Sequence, residues 1–461
     1  MAIMAAQKSV ILYPSLGVGH LNPMVELAKL FLRRGLAVVI TVVDSPDKDS
    51  VLADAIARLA AANPDIAFHL LPVPSCGRED YPHAVMRIMD VMRVANPALR
   101  EFLMGALPDV EALVLDMFCA DALDVAAELG IPSYFFFASA LGYLAIMLRL
   151  PEYYPAAPSP IKDMPETVLH FPGVPPIRAL DMAATLQDRD SDIAKARLAQ
   201  CTRMLEARGI LVNSFDRLES RALEALRCGL CTPRRSTPSV HCIGSLVLPG
   251  NTGGISERHA CLEWLDTQPD RSLREMARGL ENSGQRFLWV VRNPPEHQSN
   301  SAEPDLGSLL PEGFLERTRE RGFVVKNWAP QSEVLRHPSI EGFAMHCGWN
   351  SALEGIASGV PMICWPLYAE QRMNKVLMVE EMKVGVVMEG YEEELVKAEE
   401  VETKVRLVMA SDEGEELRQR VMVAKEMAVD ALKTGASSDV AFDEFLTDLQ
   451  KSRTSTEKRA T

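Results

Sequence analysis

Positive charge is what this chain is short of. Its 461 residues carry 48 Lys and Arg against 63 Asp and Glu, a formal net charge of −15. Nucleic acid and anionic membrane surfaces both need a positive field, so general binding to either is excluded; a local basic pocket for a phosphate ligand is not. A cysteine framework is also lacking. Nine cysteines are scattered without a repeating spacing, which reads as reduced thiols in a cytosolic protein. Cys228-Gly-Leu-Cys231 is a single CxxC; two incidental thiols near a surface turn are expected there, with zinc or redox use as the alternative. No signal peptide is expected, since the apolar run Val10–Tyr13 is short and meets Pro14 at once. Only Ile131–Leu148 has membrane length without a charge. Pro132, Ser133, Ser139 and Gly142 interrupt it, so a buried strand followed by a buried helix is expected, not a membrane span. No internal repeat of roughly 20–50 residues is visible.

What is present is a globular composition, 48% hydrophobic and 24% charged, in a chain too long for one core. At about 150 residues per domain, two or three domains are expected. The N-terminal half alternates strand and helix. Val10–Tyr13 reads as a strand, Ser15–Gly19 as a turn, and Pro23 as the first turn of a helix whose Met24, Leu27, Ala28 and Phe31 share one face. Gly35 ends that helix and Ala37–Val43 is the next strand. The cycle recurs at Ala112–Met117 (strand), Asp121–Leu129 (helix), Ile131–Phe136 (strand) and Ile210–Asn213 (strand). Such alternation implies parallel βαβ units in a doubly wound α/β domain.

Pro151–Arg178 reads as a loop over a cleft, and Pro249–Arg258 as an interdomain linker. Beyond it Phe287–Val291, Phe323–Val325, Gly342–Met345, Pro361–Trp365 and Val384–Met388 read as strands between helices. Two α/β domains facing each other across a cleft are therefore expected, residues 1–245 and 246–461, with packing of the last helix back on the N-terminal domain as an alternative. The polar tail Lys451–Thr461 is expected to fray.

Two groups of residues could do chemistry. Gly17-Val-Gly19-His20 joins the first strand to the first helix, but Asn22 stands where a dinucleotide fingerprint needs its third glycine, which weakens an NAD reading. His20 would lie at the carboxyl end of a parallel strand, where open α/β sheets bind ligands. A neutral imidazole there can take a proton from a substrate hydroxyl; a structural histidine is the competing reading. Asp116, at the end of Ala112–Leu115, should emerge on the same sheet edge and can hold the second ring nitrogen. Asp121 and Asp124 are rivals that also suit the first turn of the next helix as capping or dipole charges.

The second group is Trp328–Gln371. It holds Trp328-Ala329-Pro-Gln331, His346-Cys-Gly348-Trp349-Asn350-Ser351, Glu354 and Trp365-Pro-Leu-Tyr368-Ala-Glu370-Gln371. Backbone N–H groups at a helix start, with His346 and Ser351, make an anion site suited to a diphosphate. Trp328 offers a face for a base, and Glu354 can bridge two ribose hydroxyls. Ser351 and Glu354 also fit a capping box, which needs no ligand; Ser351 capping with Glu354 free would combine the two.

This 44-residue stretch resembles the signature of plant family-1 UDP-dependent glycosyltransferases, and the resemblance runs from Pro14–His20 to Gly435-Ala-Ser-Ser438. It implies two Rossmann-like domains of the GT-B type, with acceptor bound by the N-terminal half and UDP-sugar by the C-terminal half. By resemblance His20 is the base and Asp116 its supporting carboxylate. Trp328 and Ala329 hold uracil, and Gln331 contacts uracil or ribose. His346, Gly348, Asn350 and Ser351 cradle the diphosphate, and Glu354 clasps the ribose. Trp349, Tyr368, Glu370 and Gln371 lie by the sugar, with Gln371 pointing to glucose; Gly19 sits beside the base. The implied reaction is a single inverting displacement by a monomeric, cytoplasmic enzyme, without a metal or cofactor. Asp188-Arg-Asp190 matches a metal-binding D-x-D, but it precedes the helical stretch Ile193–Arg208 and reads as solvated helix-start charge. Phe118, Phe135, Phe137 and Tyr143 could line an acceptor pocket; core packing is the stronger expectation for each.

One departure stands out. After Trp264-Leu-Asp-Thr-Gln-Pro-Asp-Arg-Ser272 the family pattern continues into a strand, a Phe-Gly-Ser loop and a helix start. Here Ser272 runs straight into Leu273-Arg-Glu-Met-Ala, so an interior strand of the C-terminal sheet is expected to be missing, exposing two edges. Leu246–Leu248 is a possible substitute strand. Glu341, Met345 and Ser245 depart mildly. The resemblance thus implies transfer of glucose from UDP-glucose to hydroxyls of small plant phenolics such as flavonoids; alongside it stands a second reading, a truncated relative that binds UDP-sugar weakly or not at all, and behind it an NAD oxidoreductase.

Overall fold

The computed structural model describes residues 8–44, 50–75, 81, 83–107, 109–247, 270–292, 303–393 and 395–460. The chain divides into two compact units, residues 1–248 with 428–461, and residues 249–427. The linker expected at Pro249–Arg258 lies outside the described residues.

In the first unit the strands are β1 (Ser9–Tyr13), β2 (Ala37–Asp44), β3 (Ala67–Pro72), β4 (Val110–Asp116), β5 (Ser133–Phe137), the hairpin pair β6 (Val168–Leu169) and β7 (Ile177–Arg178), then β8 (Gly209–Val212) and β9 (Ser239–Cys242). Seven of them form one sheet in the order β3-β2-β1-β4-β5-β8-β9, and every pairing in it is parallel. Helices connect these strands, and the covered strands read as near-continuous apolar runs. Val10–Tyr13, Leu113–Leu115, Tyr134–Phe137 and Ile210–Val212 are fully buried. The order reverses direction between β1 and β4, the topological switch point of such a sheet. The uncharged run Ile131–Leu148 is β5 followed by the buried helix Leu141–Tyr153. Among the described residues no helix is long and apolar enough to cross a membrane.

The helix Ser437–Ala460 closes this unit. Its backbone continues through the tail expected to fray. Phe442 and Phe445 meet Phe31 edge-on, with ring centroids 5.2 and 5.8 Å apart, and Tyr134 Oη donates to Asp448. Arg34 pairs with Asp439 and Asp443 at the surface. Exposed pairs of that kind contribute about 0–1 kcal/mol each, against about 2 kcal/mol for each buried phenyl ring, so the aromatic contacts dominate the docking.

The second unit holds β10 (Phe287–Val291), β11 (Gly322–Lys326), β12 (Phe343–Met345), β13 (Met362–Cys364) and β14 (Gly385–Val387). All pairings are parallel, but the described strands form two separate sheets, β10-β11 and β12-β13-β14. The helix Asp270–Ser283 spans the point after Ser272 where the expected strand would stand. Leu246 does not substitute for it. Its N–H donates to Asn213 Oδ1 at 2.7 Å and its carbonyl accepts from Asn213 Nδ2 at 3.2 Å, which fixes it in the first unit.

Candidate active site

β1 leaves the sheet through a turn in which Gly17, at φ 105°, precedes the helix Val18–Arg33. A positive φ suits glycine because it has no Cβ to clash. The helix begins five residues before Pro23, which lies inside it rather than in its first turn. The proline removes one internal hydrogen bond, but Leu21, Met24, Leu27, Ala28 and Phe31 on the buried face hold the helix together. His20 is therefore in the first turn, at the carboxyl end of β1.

β4, on the other side of the switch point, ends in Asp116, and the two side chains meet. His20 Nδ1 lies 2.7 Å from Asp116 Oδ2. Asp116 is fully buried and the His20 side chain is 26% exposed. Asp116 Oδ1 also accepts from the Phe118 N–H at 3.0 Å, capping the short turn Met117–Cys119. A carboxylate that accepts from an Nδ1–H leaves the lone pair on Nε2, the arrangement a general base needs. Asp121 and Asp124 turn instead to Arg203, whose guanidinium holds Asp124 below the usual carboxylate range. Cys119 is no nucleophile, since burial pushes its thiol well up. Phe135, Phe137 and Tyr143 are core residues. Phe118 alone of the four aromatics reaches His20, edge-on at 5.4 Å.

In the second unit His346 follows β12, Gly348 is the N-cap, and the helix Trp349–Ser358 ends at Gly359 in the left-handed conformation. A Cβ on Gly348 would sit 2.4 Å from His346 Nε2, so only glycine lets that imidazole lie against the helix start. Ser351 is the third helical residue, which overturns the capping box: Gly348 holds the cap position and no side chain caps the helix. Glu354 is not free either. Its Oε1 accepts from Ser332 Oγ at 2.6 Å and its Oε2 from Gln331 Nε2, which also reaches Ser351 Oγ at 3.0 Å. The short helix Gln331–Arg336 thus ties the turn bearing half-buried Trp328 and Ala329 to the helix start.

Trp349 is 2% exposed, so its side chain belongs to the core. Asn350 is half-buried beside it. Gln371, 3% exposed, accepts with Oε1 from the N–H groups of Leu367 and Tyr368 at 2.9 and 3.0 Å. It shapes the turn that carries Tyr368 and Glu370 and keeps its Nε2 donor for other use. Asn374 Nδ2 donates to the Cys347 carbonyl at 3.0 Å and so joins that turn to the His346 loop. Sequence reasoning missed Asn374 and Ser332; only Ser332, next to Gln331, lay within reach of the motif. Asp188 pairs with Lys162 at 2.6 Å. Among the described residues no cluster of three His, Cys, Asp or Glu is placed to hold a metal ion.

An anthocyanidin 5,3-O-glucosyltransferase from a Rosa hybrid cultivar is 40% identical to this chain, covering 93% of it and 96% of the relative. The chain belongs to the UDP-glycosyltransferase family. The family described as UDP-glucoronosyl and UDP-glucosyl transferase matches residues 264–430, a span that contains the Trp328–Gln371 group. A phloretin 2'-O-glucosyltransferase from Malus domestica is 37% identical over 93% of this chain and 97% of its own length. The solved structure of Phytolacca americana UGT2 with UDP-2fluoro-glucose and pterostilbene superposes with a TM-score of 0.81 at 31% identity, covering 96% of this chain and all of that one. This glycosyltransferase therefore has the GT-B fold and is a transferase.

Proposed function

We propose that this glycosyltransferase moves glucose, with inversion, from UDP-glucose to a hydroxyl of a small flavonoid-like plant phenolic. The observation that carries the reading is the His20–Asp116 pair at the switch point of the first sheet. His20 Nε2 takes the acceptor proton as the acceptor oxygen attacks the anomeric carbon. The bond from that carbon to the diphosphate oxygen breaks, and UDP leaves with the electron pair. Asp116 stabilises the imidazolium formed. Charge on the departing diphosphate is met by the N–H groups at the Trp349 helix start, His346, Asn350 and Ser351, so no metal is needed. Trp328, Ala329 and Gln331 take the uracil, Glu354 the ribose, and Tyr368, Glu370 and Gln371 the glucose.

The first unit, residues 1–248 with 428–461, binds acceptor and the second, residues 249–427, binds donor, in a cytoplasmic monomer. The phenolic acceptors named for the rose and apple relatives support that substrate class. Incubation with UDP-glucose and a flavonoid panel, followed by mass spectrometry, should show a gain of one hexose that disappears in His20→Ala. An equal gain in His20→Ala would remove His20 as the base.

A second reading has one observation behind it. The reading, a donor half that binds UDP-sugar weakly, starts from the single strand partner that β10 and β12 each have among the described residues, but relatives covered over 96 and 97% of their own length lend it no support. A melting-temperature rise with UDP like that of a strand-restored chain would dismiss it.

A further inference from the structure

Behind the His20–Asp116 pair lies a buried cation. Arg197, on the helix Asp192–Met204, is 3% exposed, yet among the described residues its guanidinium has no carboxylate partner. Its Nη2 donates to Tyr143 Oη at 2.7 Å and its Nη1 to Gln200 Oε1. The guanidinium carbon lies 4.9 Å from the centre of the Phe118 ring. Gln200, itself 2% exposed, donates its Nε2 to the Met117 carbonyl. An uncompensated buried charge is costly, and a methionine or leucine would fill the same volume without that cost. What the guanidinium adds is a grip on two elements at once: a cation–π contact to Phe118 and, through Gln200, a polarised hydrogen bond to Met117.

Those two residues form the turn that Asp116 caps. Phe118 N–H donates to Asp116 Oδ1, Asp116 Oδ2 holds His20 Nδ1, and the Phe118 ring edges onto the His20 ring. The chain of contacts from Arg197 to His20 is closed. We propose that Arg197, acting with Gln200, is a positioning residue that fixes the Met117–Cys119 turn and thereby the tautomer and aim of His20. The proposal rests on the reading of His20 as the base. The reach of the charge is visible on the adjoining helix Ala84–Val94, where burial and then Arg197 hold its cap residue His83 below the ordinary histidine range.

The test uses the full chain labelled with 15N-histidine, with the two-bond 1H–15N spectrum reporting the His20 tautomer and His20→Ala assigning its signal. In the parent, Nδ1 should be protonated. In Arg197→Met the signal should move toward a mixture of tautomers, with Arg197→Lys recovering most of the parent pattern. Gln200→Leu, which leaves the cation in place, should give a smaller shift of the same sign and keeps the proposal testable if Arg197→Met fails to fold. Glucosyl transfer should fall about tenfold in kcat for Arg197→Met, with KM for UDP-glucose within about twofold. In an Asp116→Asn background the same substitution should cost almost nothing further, because both act through one histidine. A parent-like tautomer in Arg197→Met, or in Gln200→Leu where the former does not fold, overturns the proposal and leaves a packing role only. A parent whose Nδ1 is not protonated overturns the His20–Asp116 reading and this proposal with it.

Discussion

β1 and β10 are both five-residue parallel strands with largely apolar sequences, Ser-Val-Ile-Leu-Tyr in one and Phe-Leu-Trp-Val-Val in the other. β1 is paired on both sides, by β2 and β4, and its last four residues are fully buried. β10 pairs with β11 alone among the described residues. Leu288 on it is 39% exposed and Phe323 on β11 is 67% exposed. β13, which does have two partners, is buried throughout. Apolar sequence does not by itself bury a strand; two hydrogen-bonding neighbours and a helix layer on each face do. The half expected to hold the base is built on a continuous sheet, and the half expected to hold the nucleotide on two sheets that are separate among the described residues.

The sharpest separation of the two halves is His20→Ala. It should lower the transfer rate about 10³-fold, measured by product formation, while the melting-temperature shift caused by UDP stays at the parent value. A lost UDP shift would mean the two halves are not independent.

Restoring a strand and loop of roughly fifteen residues after Ser272 should give β10 and β12 their second partners and erase the contrast. Amide exchange in both strands should slow by about a hundredfold, and UDP should bind about tenfold tighter or more. Unchanged exchange would mean that the division does not weaken the unit.

Glu354→Gln removes the charge that Ser332 and Gln331 hold in place. Losing one charge-assisted hydrogen bond to ribose costs about 1.4 kcal/mol, or tenfold in UDP affinity by calorimetry, with acceptor binding untouched.

The smallest effect is a pH dependence confined to the first unit. Burial holds His241 on β9 below the ordinary histidine range. Its folded pKa is depressed, so the unfolded chain binds the extra proton; stability is full above about pH 6.5 and declines as pH falls below it. Thermal melts between pH 8 and pH 5.5 should show this decline, and His241→Gln should flatten it. The Gly435 N–H and then Arg34 hold Asp439 low, so its contribution is lost only at more acid pH, below about 4.

Local chemistry explains what could be read from the chain beforehand. Strand and helix alternate because apolar runs are short and punctuated by Gly and Pro, and a strand-end His and Asp in such a pattern converge at a sheet edge. The start of the first helix was hidden because Pro23 mimics a first turn, whereas Gly17 sets the start five residues before it. Ser351 and Glu354 had the spacing of a capping box, yet their partners come from Gln331 and Ser332, about twenty residues away. Arg197 and Gln200 act on a turn some eighty residues distant, and no local pattern announces such a contact.

The helix Ser437–Ala460 seals a unit whose last strand ends at Cys242. On the ribosome, 188 residues lie between Leu248 and Ser437, about 10–40 s of synthesis. Throughout that interval Phe31 and Tyr134 wait without the phenylalanines that cover them. A stop codon between residues 428 and 441 would therefore spare the second unit and still damage the first, by removing the phenylalanines that cover Phe31 and Tyr134.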